Sequence, residues 1–378
     1  EVVKSLIAKY HCDEQIDLPG FSKDFSCGEI FTQIGKNMAK KNIHFFQSFY
    51  DPKTYYYINQ ILNSNMEEDA KKELLMRSLT ENRDIMEMLN FGDAIKRSRT
   101  GNVLLYMTML PYSRQDKKDD GRVPISAKLM ADLIERAFGK KLEAVNVCDL
   151  HAQQEQGFFD GPVLVFPIIP LYAIAIRNNF ELSDKVVVQM ADNVIMSPDS
   201  GGLKRAESLG NLLKLPFNFV PKKRPKHGEA EVRKLVEMIQ GKSVIFVDDI
   251  GDSYNSLLKA REFLIRDCGA NELMYACITH NVASISYNDK GERRVPEQTL
   301  DGKIKLITTN TVPRELVYYE KNKNIYQTVI NLGEPFADLV YCHQSGKTTG
   351  DVFDTYKQMA KTNDLKSCNI SKLLLYNA

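Results

Sequence analysis

The sequence predicts an α/β protein built on mostly parallel sheets, and three observations lead to this prediction. Short apolar, β-rich runs recur along the 378 residues, helical patterns lie between several of them, and polar residues follow the runs at their carboxyl ends. Continuous apolar strands that alternate with helices are typical of parallel sheets covered on both faces. The chain is long enough for about two ordinary domains.

The predicted strands are the β-rich runs 43–47, 103–107, 143–148, 185–190, 243–248, 273–278, 303–308 and 326–331. Two helices are predicted from four-residue spacing of apolar side chains. The first carries this spacing at Ile125, Leu129, Leu133 and Ala137. Pro124 suits its first turn. The second helix is predicted over 256–268, and Gly269 suits its end.

Composition excludes several classes of protein. Lys and Arg total 50 against 49 for Asp and Glu, so no global field favours nucleic acid or an anionic membrane. The longest apolar run, 162–176, holds three prolines and is shorter than the ~20 residues of a membrane-spanning helix. The seven cysteines are scattered without a Cys-x-x-Cys pair. With no signal-peptide pattern at the start, we expect reduced thiols and a cytoplasmic protein.

Two adjacent carboxylates, Asp248 and Asp249, end the predicted strand "VIFVDD", and the loop 250–256 then leads into a helix. Ligands bind at the carboxyl ends of parallel strands. Two carboxylates can accept hydrogen bonds from neighbouring sugar hydroxyls, and the unpaired N–H groups of a helix N-terminus suit a phosphate. The pattern therefore fits a sugar phosphate. A solvated strand-end turn with an aspartate as helix cap fits this stretch equally well.

Three further stretches carry polar residues where strands are expected to end. "SPDSGGLKRA" contains Asp199 and a glycine pair, and "CDLHAQQEQGFF" contains His151. A histidine and a carboxylate at strand ends are candidates for a metal or phosphate site, although a lone histidine is usually structural. "YSRQDKKDDGR" supplies Arg114 and Lys117, which suit polyphosphate, and a solvated charge run is the alternative.

Together these stretches resemble the ribose-phosphate pyrophosphokinases, also called phosphoribosyl pyrophosphate synthetases. The matching stretches fall in the family's order from about residue 20 to 355: "FSCGE" (25–29), "YSRQDKKDDGRVPISAKLMADLI" (112–134), "DLHAQQEQGFFDGPV" (149–163), "SPDSGGLKRA" (197–206), "KKRP" (222–225), "VIFVDDIGDS" (244–253) and "THN" (279–281). The RQDKK and HxxQxQGFF segments are specific to this family. The Asp-Asp loop is shared with phosphoribosyltransferases.

The resemblance implies two similar phosphoribosyltransferase-type domains, each a mostly parallel sheet flanked by helices. The implied N-terminal domain covers 1–166, with an insertion at about 52–80 that has no family counterpart. The C-terminal domain covers 167–332, and 333–378 is expected to return to the first domain and end in a tail. A homo-oligomer based on dimers, up to a hexamer, is also implied.

The implied reaction transfers the β,γ-diphosphoryl group of ATP to the 1-hydroxyl of ribose 5-phosphate, giving phosphoribosyl pyrophosphate and AMP for nucleotide synthesis. The resemblance assigns Mg²⁺ to His151 and Asp199, with Asp149 and Asp160 as weaker candidates. It assigns ATP to Arg114, Gln115, Asp116 and Lys117, and to Phe25 and Glu29 of a neighbouring subunit. It assigns ribose 5-phosphate to Asp248, Asp249, Asp252, Ser253, Asn255 and Ser256. His151 also counts among the catalytic residues.

The basic stretch "PKKRPKHG" at 221–228 can be interpreted as a nuclear-localisation run or a solvated loop. The resemblance implies a catalytic loop instead, in which Lys222 and Arg224 stabilise charge on the transferred group. Its position between "SPD" and "VDD" favours the catalytic interpretation.

Three departures from the family pattern carry expectations of their own. Tyr254 and Asn255 replace small residues of the phosphate loop, which predicts an obstructed loop. Cys27 replaces an aspartate near adenine, and Ala39 stands where a regulatory phosphate-binding arginine is usual, which predicts altered regulation. The loop favours an alternative hypothesis, a catalytically weak regulatory homologue that associates with active synthetases. A phosphoribosyltransferase is a third hypothesis, disfavoured by the RQDKK and HxxQxQGFF segments.

Overall fold

The computed structural model of the protein describes residues 20–24, 29–35, 37–49, 67, 81–181, 192–221, 229–284, 286–287, 293–314, 316–362 and 373–377. The described residues divide into two compact units. The N-terminal unit holds the described residues up to 166 together with 311–313, and the C-terminal unit holds those from 167 to 310 and from 314 onward.

The N-terminal unit contains a parallel sheet of four described strands in the order β3-β4-β5-β6. These strands are β3 (Ile43–Gln47), β4 (Val103–Met107), β5 (Leu142–Cys148) and β6 (Val163–Phe166). The other elements are the antiparallel hairpin of β1 (Gly20–Asp24) and β2 (Ile30–Ile34), and the helices α1 (Asn82–Arg97) and α2 (Ser126–Phe138). All five residues of β4 are buried, which explains its continuous apolar sequence.

Helix α2 forms where the sequence predicts a helix, but its buried face differs from the predicted one. The side chains that pack inward belong to Ala127, Met130, Ala131, Ile134, Ala137 and Phe138. Leu129 and Leu133 of the predicted face are 55% and 39% exposed. The helix begins at Ser126, so Pro124 precedes it instead of occupying its first turn.

The C-terminal unit is built on a sheet of seven described strands in the order β8-β7-β9-β10-β13-β14-β15. They are β7 (Asn193–Ser197), β8 (Phe217–Phe219), β9 (Ser243–Gly251), β10 (Met274–Asn281), β13 (Ile304–Thr309), β14 (Tyr326–Ile330) and β15 (Leu374–Asn377). All neighbours pair in parallel except β14 and β15. A short antiparallel hairpin, β11 (Ser286–Tyr287) and β12 (Arg293–Arg294), follows β10.

The helices of this unit are α3 (Ile169–Glu181), α4 (Leu203–Leu213), α5 (Glu229–Ile239), α6 (Asn255–Cys268), α7 (Leu316–Lys321), α8 (Gly333–Ser345) and α9 (Thr349–Thr362). The core includes fully buried side chains from the central strands, among them Val244, Phe246 and Leu306. Helix α6 ends as predicted: Gly269 is left-handed and its N–H donates to Leu264 and Ile265 carbonyls.

The segment from 333 onward belongs to the C-terminal unit, which differs from its expected return to the first domain. Helix α9 packs against α3 and α4, and β15 pairs with β14. Without β15, strand β14 would form the edge of the sheet, and its outer backbone N–H and C=O groups would have no strand partner. An antiparallel strand from the end of the chain covers that edge.

The predicted strands 43–47, 103–107, 143–148, 243–248, 273–278, 303–308 and 326–331 all correspond to observed strands, with shifts of one to three residues at some ends. The predicted strand 185–190 lies outside the described residues, as does nearly all of the predicted insertion at about 52–80. The strand that precedes Asp199 is β7, which the sequence did not predict.

The cysteines of the described ranges, Cys148, Cys268, Cys277 and Cys342, are buried free thiols. Burial raises the pKa of Cys268 to about 11 and that of Cys148 well above its ordinary value. These thiols are therefore poor nucleophiles. Across the described part of the chain, none of the helices combines the length and apolar character needed to cross a membrane.

Leucines on β13 and α7 provide a matched test of the C-terminal core. Leu306 is fully buried and Leu316 is 49% exposed. We expect Leu306→Ala to lower the free energy of unfolding by about 2–5 kcal/mol through the lost burial and the cavity. Leu316→Ala should lower it by less than ~1 kcal/mol. Urea unfolding of both variants measures this, and equal losses would contradict the described core.

Candidate functional site

The strand order places a crevice at the carboxyl edge of the C-terminal sheet, between β7 and β9. From β7 the chain passes through α4 to β8 on one side, and the next strand, β9, lies on the other side of β7. Such a reversal opens a crevice beyond the carboxyl ends of the two strands, where open α/β sheets bind ligands.

The acidic pair lies inside β9 and not after it, because the strand continues to Gly251. Asp248 is opposite Ile278 of β10 in the parallel ladder. On the other side of β9, pairing with β7 is described as far as Phe246. Asp248 and Asp249 therefore lie just past the end of β7, at the crevice.

The two carboxylates of the acidic pair differ in exposure. Asp249 is 4% exposed, while Asp248 is partly buried. The main-chain N–H of Asp249 donates to Oδ1 of Asp248 over 3.1 Å. Burial, followed by the neighbouring charge of Asp249, raises the pKa of Asp248 well above its ordinary value, and Arg205 opposes this rise. Asp248 therefore holds its proton more strongly than an exposed carboxyl group does.

Arg205 is a site residue that the sequence did not reveal. It lies in the first turn of α4, and its Nη1 is 3.8 Å from Oδ1 of Asp249. Its side chain is 16% exposed, so its charge acts on the acidic pair with limited screening by water. The sequence signal that could have revealed it is the pair Lys204-Arg205 at the start of α4. A helix that follows β7 starts near the carboxyl end of the neighbouring strand β9, where the acidic pair lies.

Asp199 is held at the end of β7 by a tight turn. It caps the turn Ser200–Gly202, where its Oδ1 accepts a hydrogen bond of 2.8 Å from the N–H of Gly201. A Cβ added to Gly202 would lie 2.4 Å from Oγ of Ser197. Glycine is therefore required for the turn to approach the strand end, and Asp199 remains partly buried at the edge.

The loop after β9 is fastened to the segment after β10. The carbonyl of Gly251 accepts from the N–H of Ala283 over 2.9 Å, and Oδ1 of Asp252 accepts from the N–H of Ser284 over 3.0 Å. Asp252 therefore braces the loop. Among the remaining loop residues of the candidate site, Ser253, Asn255 and Ser256 are exposed.

Asn255 and Ser256 are the first two residues of α6. Backbone N–H groups in the first turn of a helix have no partner within the helix. Oγ of Ser253 accepts from the N–H of Asn255 over 3.5 Å, which keeps the serine hydroxyl beside the helix start. The start of α6 therefore carries exposed polar side chains from Ser253, Asn255 and Ser256.

Tyr254 does not obstruct the loop, so the expectation from its size is wrong. Its backbone is left-handed, with φ of 57°, and its side chain is buried in the core. A left-handed tyrosine costs about 1–3 kcal/mol relative to an unstrained residue. Burial, followed by the charge of Glu297, raises its pKa, so the hydroxyl stays protonated and donates to Oδ1 of Asn281.

In the N-terminal unit, the loop after β4 presents exposed cations on a braced turn. Arg114 and Lys117 are exposed. Oε1 of Gln115 accepts from the hydroxyl of Ser126 at the start of α2 over 2.7 Å. Oδ2 of Asp116 accepts from Nε2 of Gln154 over 3.2 Å, which links this loop to the segment that follows β5.

His151 and Asp149 follow β5 at the carboxyl edge of the N-terminal sheet. His151 is exposed, whereas Asp149 is 8% exposed and left-handed. Asp160 instead precedes β6, and its N–H donates to Oε1 of Glu135 over 2.7 Å. Asp160 therefore lies at the opposite edge of the sheet from His151, beside a pocket of about 360 Å³. This position removes it from the metal candidates.

The remaining predicted site residues lie partly outside the described ranges. Phe25, Lys222 and Arg224 lie outside the described residues. Glu29 is exposed directly before β2. Within the described ranges, the carboxylates, imidazoles and thiols do not form a group of three or more that could hold a metal ion.

Comparison with known proteins gives the family. The profile of the N-terminal domain of ribose phosphate pyrophosphokinase matches residues 19–137, and that of the phosphoribosyl transferase domain matches 170–315. The ribose-phosphate pyrophosphokinase of Aquifex aeolicus is 35% identical over 72% of this chain and 79% of its own length. The chain belongs to the ribose-phosphate pyrophosphokinase family. The resemblance stated from the sequence is thus confirmed, and the family is one of enzymes.

Two further comparisons cover more of this family member. The ribose-phosphate pyrophosphokinase of Campylobacter jejuni is 33% identical over 84% of this chain and 85% of its own length. The crystal structure of phosphoribosylpyrophosphate synthetase from Mycobacterium smegmatis matches with a TM-score of 0.68 and 26% identity, over 91% of this chain and 95% of that one. The predicted fold, two phosphoribosyltransferase-type domains with mostly parallel sheets, is confirmed.

The raised pKa of Asp248 predicts how stability depends on pH. The folded protein binds this proton more tightly than the unfolded chain does. Stability is therefore lost as pH rises from the ordinary carboxyl pKa towards the raised folded pKa. Asp248→Asn cannot ionise, and its side-chain oxygen can still accept from the N–H of Asp249. We expect it to be more stable than wild type at about pH 8, with the difference shrinking towards about pH 4.

Urea unfolding at several pH values tests this expectation. The matched control is Asp301→Asn, which removes an exposed carboxylate of the same unit. A variant Asp248→Asn that is less stable than wild type at about pH 8 would show that the fold fully compensates both charges.

Proposed function

We propose that this protein transfers the β,γ-diphosphoryl group of ATP to the 1-hydroxyl of ribose 5-phosphate, giving phosphoribosyl pyrophosphate and AMP for nucleotide synthesis. The observation that carries the proposal is the acidic pair at the β7–β9 crevice, followed by a braced loop that opens α6. Membership of the ribose-phosphate pyrophosphokinase family supports it.

The sugar half of the proposal uses the C-terminal unit. Asp248 and Asp249 accept hydrogen bonds from the ribose hydroxyls, and Arg205 compensates the charge of the pair. The phosphate is held by donors of the loop and helix start, which belong to Ser253, Asn255 and Ser256, while Asp252 braces the loop. The positive end of the α6 dipole favours this anion.

The nucleotide half uses the N-terminal unit. The exposed cations Arg114 and Lys117 bind ATP phosphates, and Gln115 and Asp116 hold their loop in place through Ser126 and Gln154. Phe25 and Glu29 are proposed to reach the adenine of a neighbouring subunit in a homo-oligomer. For a transfer of this kind, positioning and charge stabilisation supply most of the catalysis.

Mg²⁺ is the proposed metal. In phosphoryl-transfer sites this ion keeps several waters and uses one or two carboxylates together with substrate phosphates, so it needs no cage of protein ligands. The partly buried carboxylate of Asp199 fits such a role. His151, an exposed imidazole, is the second proposed metal residue, as the family resemblance implies. When bound, the ion neutralises charge on the phosphate oxygens.

The regulatory-homologue hypothesis rests on Tyr254 and Asn255 in the phosphate loop. Of these two, Tyr254 has its side chain buried in the core, away from the ligand side. The regulatory homologue stays a hypothesis, as does a phosphoribosyltransferase that consumes phosphoribosyl pyrophosphate. The first test below separates all three.

We expect AMP and phosphoribosyl pyrophosphate to form from ATP and ribose 5-phosphate, with a requirement for Mg²⁺, because the proposed transfer moves two phosphoryl groups together. Phosphorus NMR and chromatography measure both products. Controls omit the sugar phosphate or add a chelator. Formation of ADP would mean transfer of one phosphoryl group. Sugar-phosphate binding without AMP would support the regulatory alternative, and consumption of phosphoribosyl pyrophosphate with a base would support the phosphoribosyltransferase.

The basic stretch 221–228 is proposed to be catalytic, because it starts near the carboxyl end of β8, at the same sheet edge as the acidic pair. Lys222→Ala combined with Arg224→Ala should lower turnover by about 10²–10³ and leave ATP binding nearly unchanged, since the two cations act on charge in the transition state.

Steady-state kinetics and ATP calorimetry measure this effect. The matched control replaces Arg233 and Lys234 of α5 with alanine, which removes the same charge from exposed positions. Normal turnover in the first double variant would reduce the stretch to a basic surface loop.

A further inference from the structure

We propose that Tyr254 is a positioning residue for ribose 5-phosphate: its buried hydroxyl fastens the sugar-phosphate loop to Asn281, and this bond sets the affinity for the sugar phosphate. The inference rests on the proposed function, which assigns the loop 251–256 to that ligand. The inference adds Tyr254 to the residues that determine sugar-phosphate binding, although its side chain is buried in the core and does not face the ligand.

The loop has three fastenings to the segment that ends β10. One joins two backbone groups, the N–H of Ala283 and the carbonyl of Gly251, and another joins the N–H of Ser284 to the side-chain carboxylate of Asp252. The third joins two side chains, the hydroxyl of Tyr254 and Oδ1 of Asn281. Tyr254 is also the residue directly before α6, so this bond fixes the point where the loop becomes the helix.

The tyrosine side chain has a site shaped for it. A Cβ added to Gly251 would lie 2.6 Å from both Cε1 and Oη of Tyr254, so the ring occupies the space that a side chain at 251 would need. The ring is 5% exposed. The hydrogen bond from Tyr254 to Asn281 therefore also depends on Gly251, because only glycine at that position leaves room for the tyrosine ring.

The side chain of Asn281 is also held by hydrogen bonds from its amide nitrogen, on the side opposite Tyr254. Its Nδ2 donates to Oε1 of Glu297 over 2.9 Å and to Oη of Tyr326 over 2.8 Å. Asn281 is 2% exposed and Glu297 is also 2% exposed, so water does not compete for these bonds. The loop is thus tied to a fixed point in the core of the unit.

Such a tie affects binding in a specific way. A left-handed tyrosine at the end of the loop is unfavourable by itself, and the hydroxyl bond offsets this cost. Without the bond, the loop samples other conformations, and the sugar phosphate must order it on binding. The apparent affinity for ribose 5-phosphate then falls in proportion to the fraction of molecules whose loop still has the binding-competent conformation. Binding of ATP, assigned to the other unit, is not affected.

The test removes the bond from each side. Tyr254→Phe keeps the ring and loses the hydroxyl, and Asn281→Ser withdraws the acceptor. We expect each variant to raise the KM and the calorimetric Kd for ribose 5-phosphate by about three- to tenfold, with kcat and the KM for ATP within about twofold of wild type. Amide hydrogen exchange of residues 251–256 should become faster.

The matched control is Tyr356→Phe, which removes a buried hydroxyl that donates to Asp338 in α8 over 2.9 Å, away from the loop. It should lower stability without changing the KM for ribose 5-phosphate. This comparison separates positioning from a general loss of stability.

Each outcome decides the inference. If wild type forms AMP and a folded Tyr254→Phe or Asn281→Ser variant keeps the wild-type KM for ribose 5-phosphate, the inference is wrong and the proposed function stands. An equal rise in the KM for ATP, or a change in Tyr356→Phe as large as that in Tyr254→Phe, also overturns it. Wild-type protein that neither forms AMP nor binds ribose 5-phosphate overturns the proposed function, and the inference with it.

Discussion

The hydrogen bonds accepted by the buried carboxylate of Glu297 connect much of the C-terminal unit. It lies in the turn Pro296–Leu300 and accepts hydrogen bonds from Asn281, Arg314, Tyr318 and Tyr326. These partners come from β10, the segment before α7, α7 itself and β14. Because four parts of the chain meet on one carboxylate, removing it would leave a buried arginine without its charge partner. Losses of this kind cost about 3–5 kcal/mol.

The polar groups around Glu297 are buried and paired with one another. The Arg314–Glu297 ion pair is 3.2 Å long, with both side chains 3% exposed, so it is shielded from solvent salt. Burial, and the charge of Glu297, raise the pKa of Tyr326 and that of Tyr318, so both hydroxyls remain donors at neutral pH. The two tyrosine hydroxyls therefore donate to the cluster at neutral pH.

The strands were predictable from the sequence because buried strands of parallel sheets carry continuous apolar runs, as in β4 and in residues 244–247 of β9. The face of α2 was not, because apolar residues occupy a wide arc of this helix and the neighbours decide which part is buried. Leu129 and Leu133 kept the expected spacing and still point to solvent. Sequence period alone does not distinguish two overlapping apolar faces.

In the candidate site, residue types at strand ends were predictable, since topology brings the carboxyl ends of parallel strands to one edge. Arg205 and the direction of Tyr254 were not, because both depend on contacts between residues far apart in sequence. Tyr254 bonds to Asn281, and a bulky side chain in a phosphate loop gives no sign of whether it turns outward or into the core. The prediction that Tyr254 obstructs the loop was wrong for that reason.

The antiparallel pairing of β15 with β14 has a consequence for biosynthesis. The edge strand β15, at 374–377, follows β14 in the sequence only after helices α8 and α9. During translation, β14 therefore emerges from the ribosome well before its edge partner does. Nascent protein carries a bare strand edge in this interval, and such edges invite pairing with other chains. The C-terminal sheet becomes complete only after residues 374–377 have emerged, so its edge forms later than its centre.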